Sequence, residues 1–502
     1  MQQVLRILIV HFIAMSLVLR KRIKALSHID YKAIAQKISG LTSDSRAVKQ
    51  GYLFAAIKGA AHDGNDYIDQ AVENGAIHVL TDNQAQHHDG AEILHSDNVR
   101  EGFAHLAANF YQKQPAHIAA VTGTNGKTSV AHFVDQIWKA LGDRSDFLGT
   151  LSGKLTTADP VALHETLADK VDDGVTHLIM EASSHGLDQY RLDGVNVDVA
   201  AFTNLSRDHL DYHGDMAAYL AAKSRLFSDV LNDDGVAVLN ADISEYSALS
   251  KICADRGIDT LSYGYQGKDI TLISCVSSAQ GLDISVSVLG QPFDVSLPLI
   301  GEFQAMNILC AVGVVLAQDP ERVNDVVLTL SSLQSVPGRL QSVPRHPKDA
   351  GVFVDFAHTP DALETVLKAV RPHCSGDVWC VFGAGGNRDA GKRSLMGAAT
   401  AQYADYVIVT DDNPRSEDPS TIRAAIMVGA PEAKNIAGRR EAIQFSIQNL
   451  QRGDVLVIAG KGHEQGQIFA DHVDPFNDAE EAQIAISNLS TQSKEKTPKE
   501  GI

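Results

Sequence analysis

The chain is poor in positive charge. Its 43 lysines and arginines stand against 62 aspartates and glutamates, a net charge of −19 over 502 residues. With no basic face in evidence, nucleic acid is excluded as the expected partner, and any anionic small molecule must be met by locally gathered Arg and Lys. Cysteine is scarce as well. Cys253, Cys275, Cys310, Cys374 and Cys380 are scattered and form no C-x-x-C pair. That spacing argues against a zinc site or a disulfide framework and for reduced, buried thiols. The apolar run near the start, Ile7 to Leu19, is interrupted by His11 and is too short to cross a bilayer. Arg20-Lys21-Arg22 follows it, where a secretory signal would carry its cleavage site. We expect residues 1–25 to be an extension, with translation starting near Met15, and no membrane or export role. The length suggests about three domains. An apolar fraction of 44% and a charged fraction of 21% are those of a soluble globular protein.

Against these absences stands Val121-Thr122-Gly123-Thr124-Asn125-Gly126-Lys127-Thr128-Ser129. Ile118 to Val121 reads as a buried strand. Val130, Phe133, Val134, Ile137, Trp138 and Leu141 then recur at helical spacing. Strand, glycine turn, lysine, hydroxyl and helix make a phosphate-binding loop. Gly123 and Gly126 free backbone N–H groups for phosphate oxygens, and the helix N-terminus adds partial positive charge. Lys127 suits the β/γ-phosphates, and Thr128 suits Mg²⁺. The strict Walker pattern has glycine where Val121 stands, so the loop is a shortened variant.

Other strand ends carry polar groups. Thr176 to Met180 leads into Glu181-Ala182-Ser183-Ser184-His185-Gly186, and Ala200 to Leu205 leads into Ser206-Arg207-Asp208-His209-Leu210-Asp211-Tyr212-His213-Gly214. Ligands of open α/β sheets sit at the carboxyl ends of strands, so Glu181 and His209 are expected near Thr128 as a Mg²⁺ site. A helix over 216–230 holds Lys223 among Ala217, Ala218, Ala221 and Ala222, which by sequence alone reads as a solvated surface lysine. Before this region, Ser43-Asp44-Ser45-Arg46, a 51–56 strand, a 67–74 helix and a 76–80 strand form a small α/β domain; the Ser-Asp-Ser-Arg cluster suits a helix cap as well as a binding loop. Beyond Val336-Pro337-Gly338-Arg339, strands end in Asp355-Phe356-Ala357-His358-Thr359-Pro360, in Gly383-Ala384-Gly385-Gly386-Asn387-Arg388, in Asp411-Asp412-Asn413-Pro414-Arg415 and in Gly460-Lys461-Gly462-His463-Glu464. This is a second doubly wound sheet. Its 383–386 glycines lack dinucleotide spacing. The expected fold class is therefore α/β in three domains. These are a small N-terminal α/β domain (26–113), a central ATPase-like doubly wound domain (114–336) and a C-terminal Rossmann-like domain (337–490), with a disordered tail over 491–502.

Taken together and in order, these motifs resemble the Mur ligase family from about residue 26 to 490. The resemblance implies a cytoplasmic, monomeric, ATP- and Mg²⁺-dependent amide ligase of peptidoglycan synthesis, acting on a UDP-N-acetylmuramoyl-dipeptide. It implies that Gly123, Thr124, Asn125, Gly126, Lys127, Thr128, Ser129, Asn307, Arg339 and Asp355 bind ATP. Thr128, Glu181, His209 and Lys223 would hold metal, with Lys223 carboxylated by CO₂ and Lys127, His209 and Lys223 taking part in catalysis. Ser43, Ser45, Thr156, Thr157, Ser183, Gln189 and Arg191 would hold the UDP-substrate. Arg388, Asp412, Asn413, Pro414, Arg415, Gly460 and Glu464 would hold meso-diaminopimelate, as in members of the family that add it. The chain departs from the family between Thr150 and Thr156, where only Leu151 to Leu155 intervene and Leu155 stands in place of a frequent Asn. Two other classes compete, a phosphate-loop switch that makes no bond and a folate-polyglutamate type of ligase. The amino-acid motifs of the third domain weigh against the first, and Asp412-Asn413-Pro414-Arg415 with the uridine-type first domain weighs against the second.

Overall fold

The computed structural model describes residues 29–495 apart from 60, 61, 85, 152–154, 279, 280, 344 and 345. The expected extension over 1–25 and most of the short 151–155 loop lie outside the described residues. The chain divides into two compact units. The first runs through Leu272 and adds Ser287–Gln291 and Asn307–Thr329; the second takes Ile273–Val286, Pro292–Met306 and the chain from Leu330 onward.

The first unit opens with a parallel four-stranded sheet, β1 (Gly40–Thr42), β2 (Tyr52–Ala55), β3 (Ala76–Thr81) and β4 (Glu92–His95), in that order. Side chains of a strand alternate between faces. Leu53 and Ala55 accordingly pack with Phe103 and Leu106 of the helix Val99–Tyr111, while Phe54 and Ala56 pack with Ile68 and Ala71 on the other side.

Next comes the larger sheet. β5 (His117–Thr122), β6 (Ser145–Leu148), β7 (His177–Glu181), β8 (Val197–Phe202), β9 (Leu231–Asn240) and β10 (Asp259–Gly264) stand parallel in the order β10-β9-β8-β5-β7-β6. From β5 the chain leaves toward β6, and from β8 it leaves in the opposite direction toward β9. The crevice between the carboxyl ends of β5 and β8 is therefore the topological switch point, where such sheets bind ligands. After β5 the helix Lys127–Ala140 buries Val130, Phe133, Val134, Ile137 and Trp138. β8 ends at Phe202, three residues before the expected Leu205, because Thr203 and Asn204 are drawn into the phosphate loop. The helix expected over 216–230 is regular over Met216–Arg225 and widens into a π-helical turn at Leu226–Val230. β11 (Ile270–Ser278), β12 (Gly281–Val288) and β13 (Gln291–Leu297) follow, and the boundary between the units passes through them.

In the second unit, β14 (Gln341–Ser342), β15 (Gly351–Asp355), β16 (Val378–Phe382), β17 (Tyr406–Val409), β18 (Lys434–Asn435) and β19 (Val455–Ala459) form a sheet in the order β14-β15-β19-β16-β17-β18. All pairs are parallel except β14 with β15. Cys380, Phe382, Val457 and Ala459 face one core, whereas Trp379, Val381, Leu456 and Ile458 face the other. Strands covered on both faces need continuous apolar runs, which is what the sequence has there. A small antiparallel pair, β20 (Gly466–Ile468) with β21 (Val473–Pro475), follows β19. The last helix runs Asp478–Glu495, into the stretch read as a tail. All five cysteines stand free of disulfides; Cys253, Cys310 and Cys380 are buried.

Candidate active site

The loop after β5 is built by glycine and closed by β8. Gly126 lies at φ +87°, and a Cβ there would strike the Asn307 side-chain oxygen, so Asn307 stands directly on the loop. A Cβ on Gly123 would collide with Thr203 Oγ1. Thr203 Oγ1 donates to Asn125 O at 2.6 Å, Asn204 Oδ1 accepts from Asn125 N at 2.9 Å, and Thr124 N donates to Asn204 O at 2.9 Å. Lys127 Nζ bonds the carbonyls of Gly123 and Thr124, each at 2.9 Å. Ser129 is buried in the first turn of the helix that follows.

Thr128 Oγ1 donates to Glu181 Oε1 at 3.0 Å, and Thr150 N donates to the same oxygen at 2.9 Å. Glu181 is buried at the end of β7. The sequence-based pairing of Thr128 with Glu181 is thus met in space. His209 is half exposed, at φ +51°, with Nε2 3.5 Å from Asp208 Oδ2 and its ring 4.9 Å from that of His185.

Lys223 departs from its sequence-only reading as a solvated lysine. It is 1% exposed, and its Nζ donates to Gly123 O at 2.7 Å. Burial first, and the nearby Lys127 charge second, push its pKa down to about 6. Tyr219 lies beneath the amine, ring centroid 4.6 Å away, and shares a 3.2 Å hydrogen bond with Thr124 Oγ1. On the helix Met216–Arg225, Tyr219, Ala222 and Lys223 are buried together, while Ala218 and Ala221 are exposed.

The residues expected to hold the dipeptide form one network. Thr157 Oγ1 donates to Glu181 O at 2.9 Å and accepts from Ser183 N at 3.0 Å. Arg191 bonds Thr157 O at 2.7 Å and Gln189 Oε1 at 2.8 Å, while Gln189 Nε2 donates to Tyr212 at 3.1 Å. Burial lowers the Arg191 pKa. Ser183 Oγ caps the short helix Ser184–Asp188 by accepting from Gly186 N at 3.0 Å. Thr156 reaches Thr150 Oγ1 at 3.1 Å. Thr150, Tyr212 and Tyr219 were not singled out from sequence; Thr150 follows β6, Tyr212 and Tyr219 lie on the helices Leu210–His213 and Met216–Arg225, and each meets partners far along the chain. In the first sheet, Ser43 is exposed, whereas Ser45 is buried and donates to Gln70 Oε1 at 2.8 Å. Asp44 accepts from Arg46 N at 3.0 Å, so the cap reading of that cluster also describes it. Among the described residues, Glu101, His105 and Asp193 gather as metal-type donors, but Asp193 already has a cation in Arg225 at 3.0 Å.

In the second unit, the parallel strands bring their carboxyl ends to one edge. Asp355 is buried; its oxygens accept from Leu340 N at 2.7 Å and Ala357 N at 2.8 Å, and burial raises its pKa. It thereby ties down the Gly338-Arg339 turn, with the Arg339 guanidinium 5.2 Å from the Phe356 ring centroid. Arg388 is exposed after β16. Gly460, at φ +116°, leaves room for the Asp412 carboxylate, 2.9 Å from where a Cβ would stand. Asn413 and Pro414 are buried, and Asn413 Nδ2 donates to Glu464 Oε2 at 2.8 Å. Arg415 sits at φ +52°; among the described residues its guanidinium bonds only carbonyls, Gly386 O at 3.0 Å and Asn413 O at 3.4 Å. The loops after β17 and β19 thus bring Asp412, Asn413, Gly460 and Glu464 together, and Arg415 reaches the loop after β16 at Gly386.

Three family models match the chain: Mur ligase family, catalytic domain over 37–111; Mur ligase middle domain over 121–315; and Mur ligase, glutamate ligase domain over 338–462. A "UDP-N-acetylmuramoyl-L-alanyl-D-glutamate--2,6-diaminopimelate ligase" of Caulobacter vibrioides is 46% identical over 467 residues, covering 90% of this chain and 96% of the relative. Its namesake in Zymomonas mobilis is 44% identical over 462 residues, with 89% and 95% covered. A solved structure under the same enzyme name superposes with a TM-score of 0.71 at 34% identity, covering 90% of this chain and 95% of that one. The MurF ligase of Thermotoga maritima, solved in complex with ADP, shares the fold at 18% identity, with a TM-score of 0.57 and 91% and 99% covered. A phosphate loop at a switch point, a buried lysine against it and an arginine-bearing loop beyond β17 stand in one sequence that matches these relatives over nearly its whole length, and the chain belongs to the Mur ligase family.

Proposed function

We propose that the chain is the ATP-dependent ligase that joins meso-2,6-diaminopimelate to the D-glutamate γ-carboxylate of UDP-N-acetylmuramoyl-L-alanyl-D-glutamate, a cytoplasmic step of peptidoglycan synthesis carried out by a monomer. A carboxylate is a poor electrophile. Transfer of the γ-phosphoryl of ATP makes it an acyl phosphate and releases ADP. The substrate amine then attacks the acyl carbon, and loss of phosphate and a proton leaves the amide. Lys127, whose Nζ now bonds the Gly123 carbonyl, supplies charge to the phosphoryl group in flight. The 123–129 loop with Asn307 binds the nucleotide; Ser43, Ser45, Thr156, Thr157, Ser183, Gln189 and Arg191 hold the UDP-dipeptide. Arg191, ordered on Gln189 and Thr157, suits a substrate carboxylate. For Mg²⁺ the donor set fits: a threonine hydroxyl 3.0 Å from a buried carboxylate offers the hard oxygens it prefers, with His209 and a carboxylated Lys223 as further ligands. When bound, Mg²⁺ would offset negative charge on the phosphates.

The observation carrying the choice of amino acid is Arg415. A half-buried guanidinium whose partners among the described residues are carbonyls is matched best by a carboxylate, which it can grip bidentately. Diaminopimelate has that carboxylate at its far end and L-lysine lacks it. Turnover of the two amino acids by the wild type and by Arg415→Ala tests the reading. The wild type should prefer diaminopimelate by about 10⁴-fold, since an arginine left unpaired rejects the analogue. The variant should lose most of that preference. Equal use of both by the wild type removes the assignment.

A further inference from the structure

The motif after β19 hides a lysine that no substrate can touch. Lys461 is 0% exposed, although lysine is among the residues least often buried. Gly460 at φ +116° and Gly462 at φ +55° turn the chain on either side of it; a Cβ on Gly462 would come 2.8 Å from that of Phe356. All three ammonium protons have acceptors: Asn413 Oδ1 at 2.9 Å, Glu464 Oε2 at 2.8 Å and Gly466 O at 2.7 Å. Glu464 Oε2 also accepts from Asn413 Nδ2, so this oxygen is doubly held, while Oε1 has no hydrogen bond among the described residues. The side chain is 35% exposed, which leaves Oε1 for a ligand.

The same cluster reaches Arg415. Asn413 Oδ1 accepts from Ile468 N at 2.9 Å, and Ile468 O accepts from Arg415 N at 3.0 Å. One buried cation therefore braces the loop after β17, which bears the arginine, against the loop after β19, which bears the glutamate. An ammonium and a carboxylate on the same carbon, as at the far end of a diamino diacid, demand a fixed separation between their two partners.

We propose that Lys461 is a positioning residue for the amino-acid substrate, locking one oxygen of Glu464 so that the other faces the substrate ammonium in register with Arg415. This rests on the ligase reading above. Losing the ammonium would leave Asn413 Oδ1 and Glu464 Oε2 each short of a charged partner and free the carboxylate to turn away from its site.

The test is steady-state kinetics of Lys461→Met, with Lys461→Gln as a second variant that keeps a donor without the charge. We expect the KM for diaminopimelate to rise about ten- to hundredfold, with the KM values for ATP and for the UDP-dipeptide unchanged and the preference over L-lysine reduced. In a Glu464→Gln background the Lys461→Met effect should nearly vanish, because the two act as one unit. An unchanged KM in a folded variant, equal loss toward all three substrates, or full additivity with Glu464→Gln would overturn the proposal. So would both variants failing to fold, which would make Lys461 a folding residue. If instead the wild type does not use diaminopimelate, it is the ligase reading that fails.

Discussion

Burial decides what Lys223 can do. With a pKa pushed down to about 6, its amine is neutral at physiological pH and can add to CO₂, forming an N–C bond and shedding a proton to give a carbamate. Lys223→Ala is expected to be inactive and partly rescued by a short carboxylic acid; full activity in the variant would contradict the role. The sign of the pH effect follows from the same shift. Between about pH 6 and the ordinary lysine value of 10.5, the unfolded chain binds a proton at this position that the folded chain does not. Stability attributable to Lys223 therefore rises with pH across that window, and in CO₂-free buffer Lys223→Met should flatten the rise between pH 7 and 9 measured by denaturant unfolding. None of this was legible in the residues around it. Ala217, Ala218, Ala221 and Ala222 mark no inward face, and only the family resemblance picked out the lysine. Lys461 was equally hidden, for its burial depends on Asn413, 48 residues earlier.

At the level of elements, the turn after β5 works because glycine stands where any side chain would clash. Gly126→Ala must adopt φ +87° and push its methyl against Asn307. We expect a loss of about 1 kcal/mol or more in stability and a clear rise in the KM for ATP, read by denaturant unfolding and steady-state kinetics. A variant with wild-type KM would show that the loop has slack which Asn307 does not fill. Elements of this kind were easy to read. β5, β7, β15, β16, β17 and β19 are apolar runs that end in glycine or polar clusters, since parallel strands are covered on both faces. The end of β8 was harder. The expected strand runs on to Leu205, and it is tertiary bonding of Thr203 and Asn204 to the phosphate loop that stops it early. β12 alternates buried and exposed positions without a motif to flag it.

For the whole molecule, the two units carry separate hydrophobic cores, one set around β2 and β8, the other around β15, β16 and β19. Calorimetry should therefore resolve two unfolding transitions rather than one. The residues proposed for the UDP-dipeptide all belong to the first unit and those for diaminopimelate to the second. Each ligand alone should raise a different transition, by about 2.7 kcal/mol at a hundred times its Kd. A single transition, or both rising together with either ligand, would refute this division.

The buried thiols add an unplanned instrument. Burial holds Cys253 at a pKa of about 11 and Cys310 and Cys380 at about 12, so almost no thiolate exists at neutral pH in the folded chain. An alkylating reagent can mark these positions only when the helix Tyr246–Arg256, the helix Glu302–Gln318 or β16 opens to water. Because Cys253 and Cys310 belong to one unit and Cys380 to the other, the rate at which each takes up label is a stopwatch for its own half of the molecule, already installed at single-residue resolution.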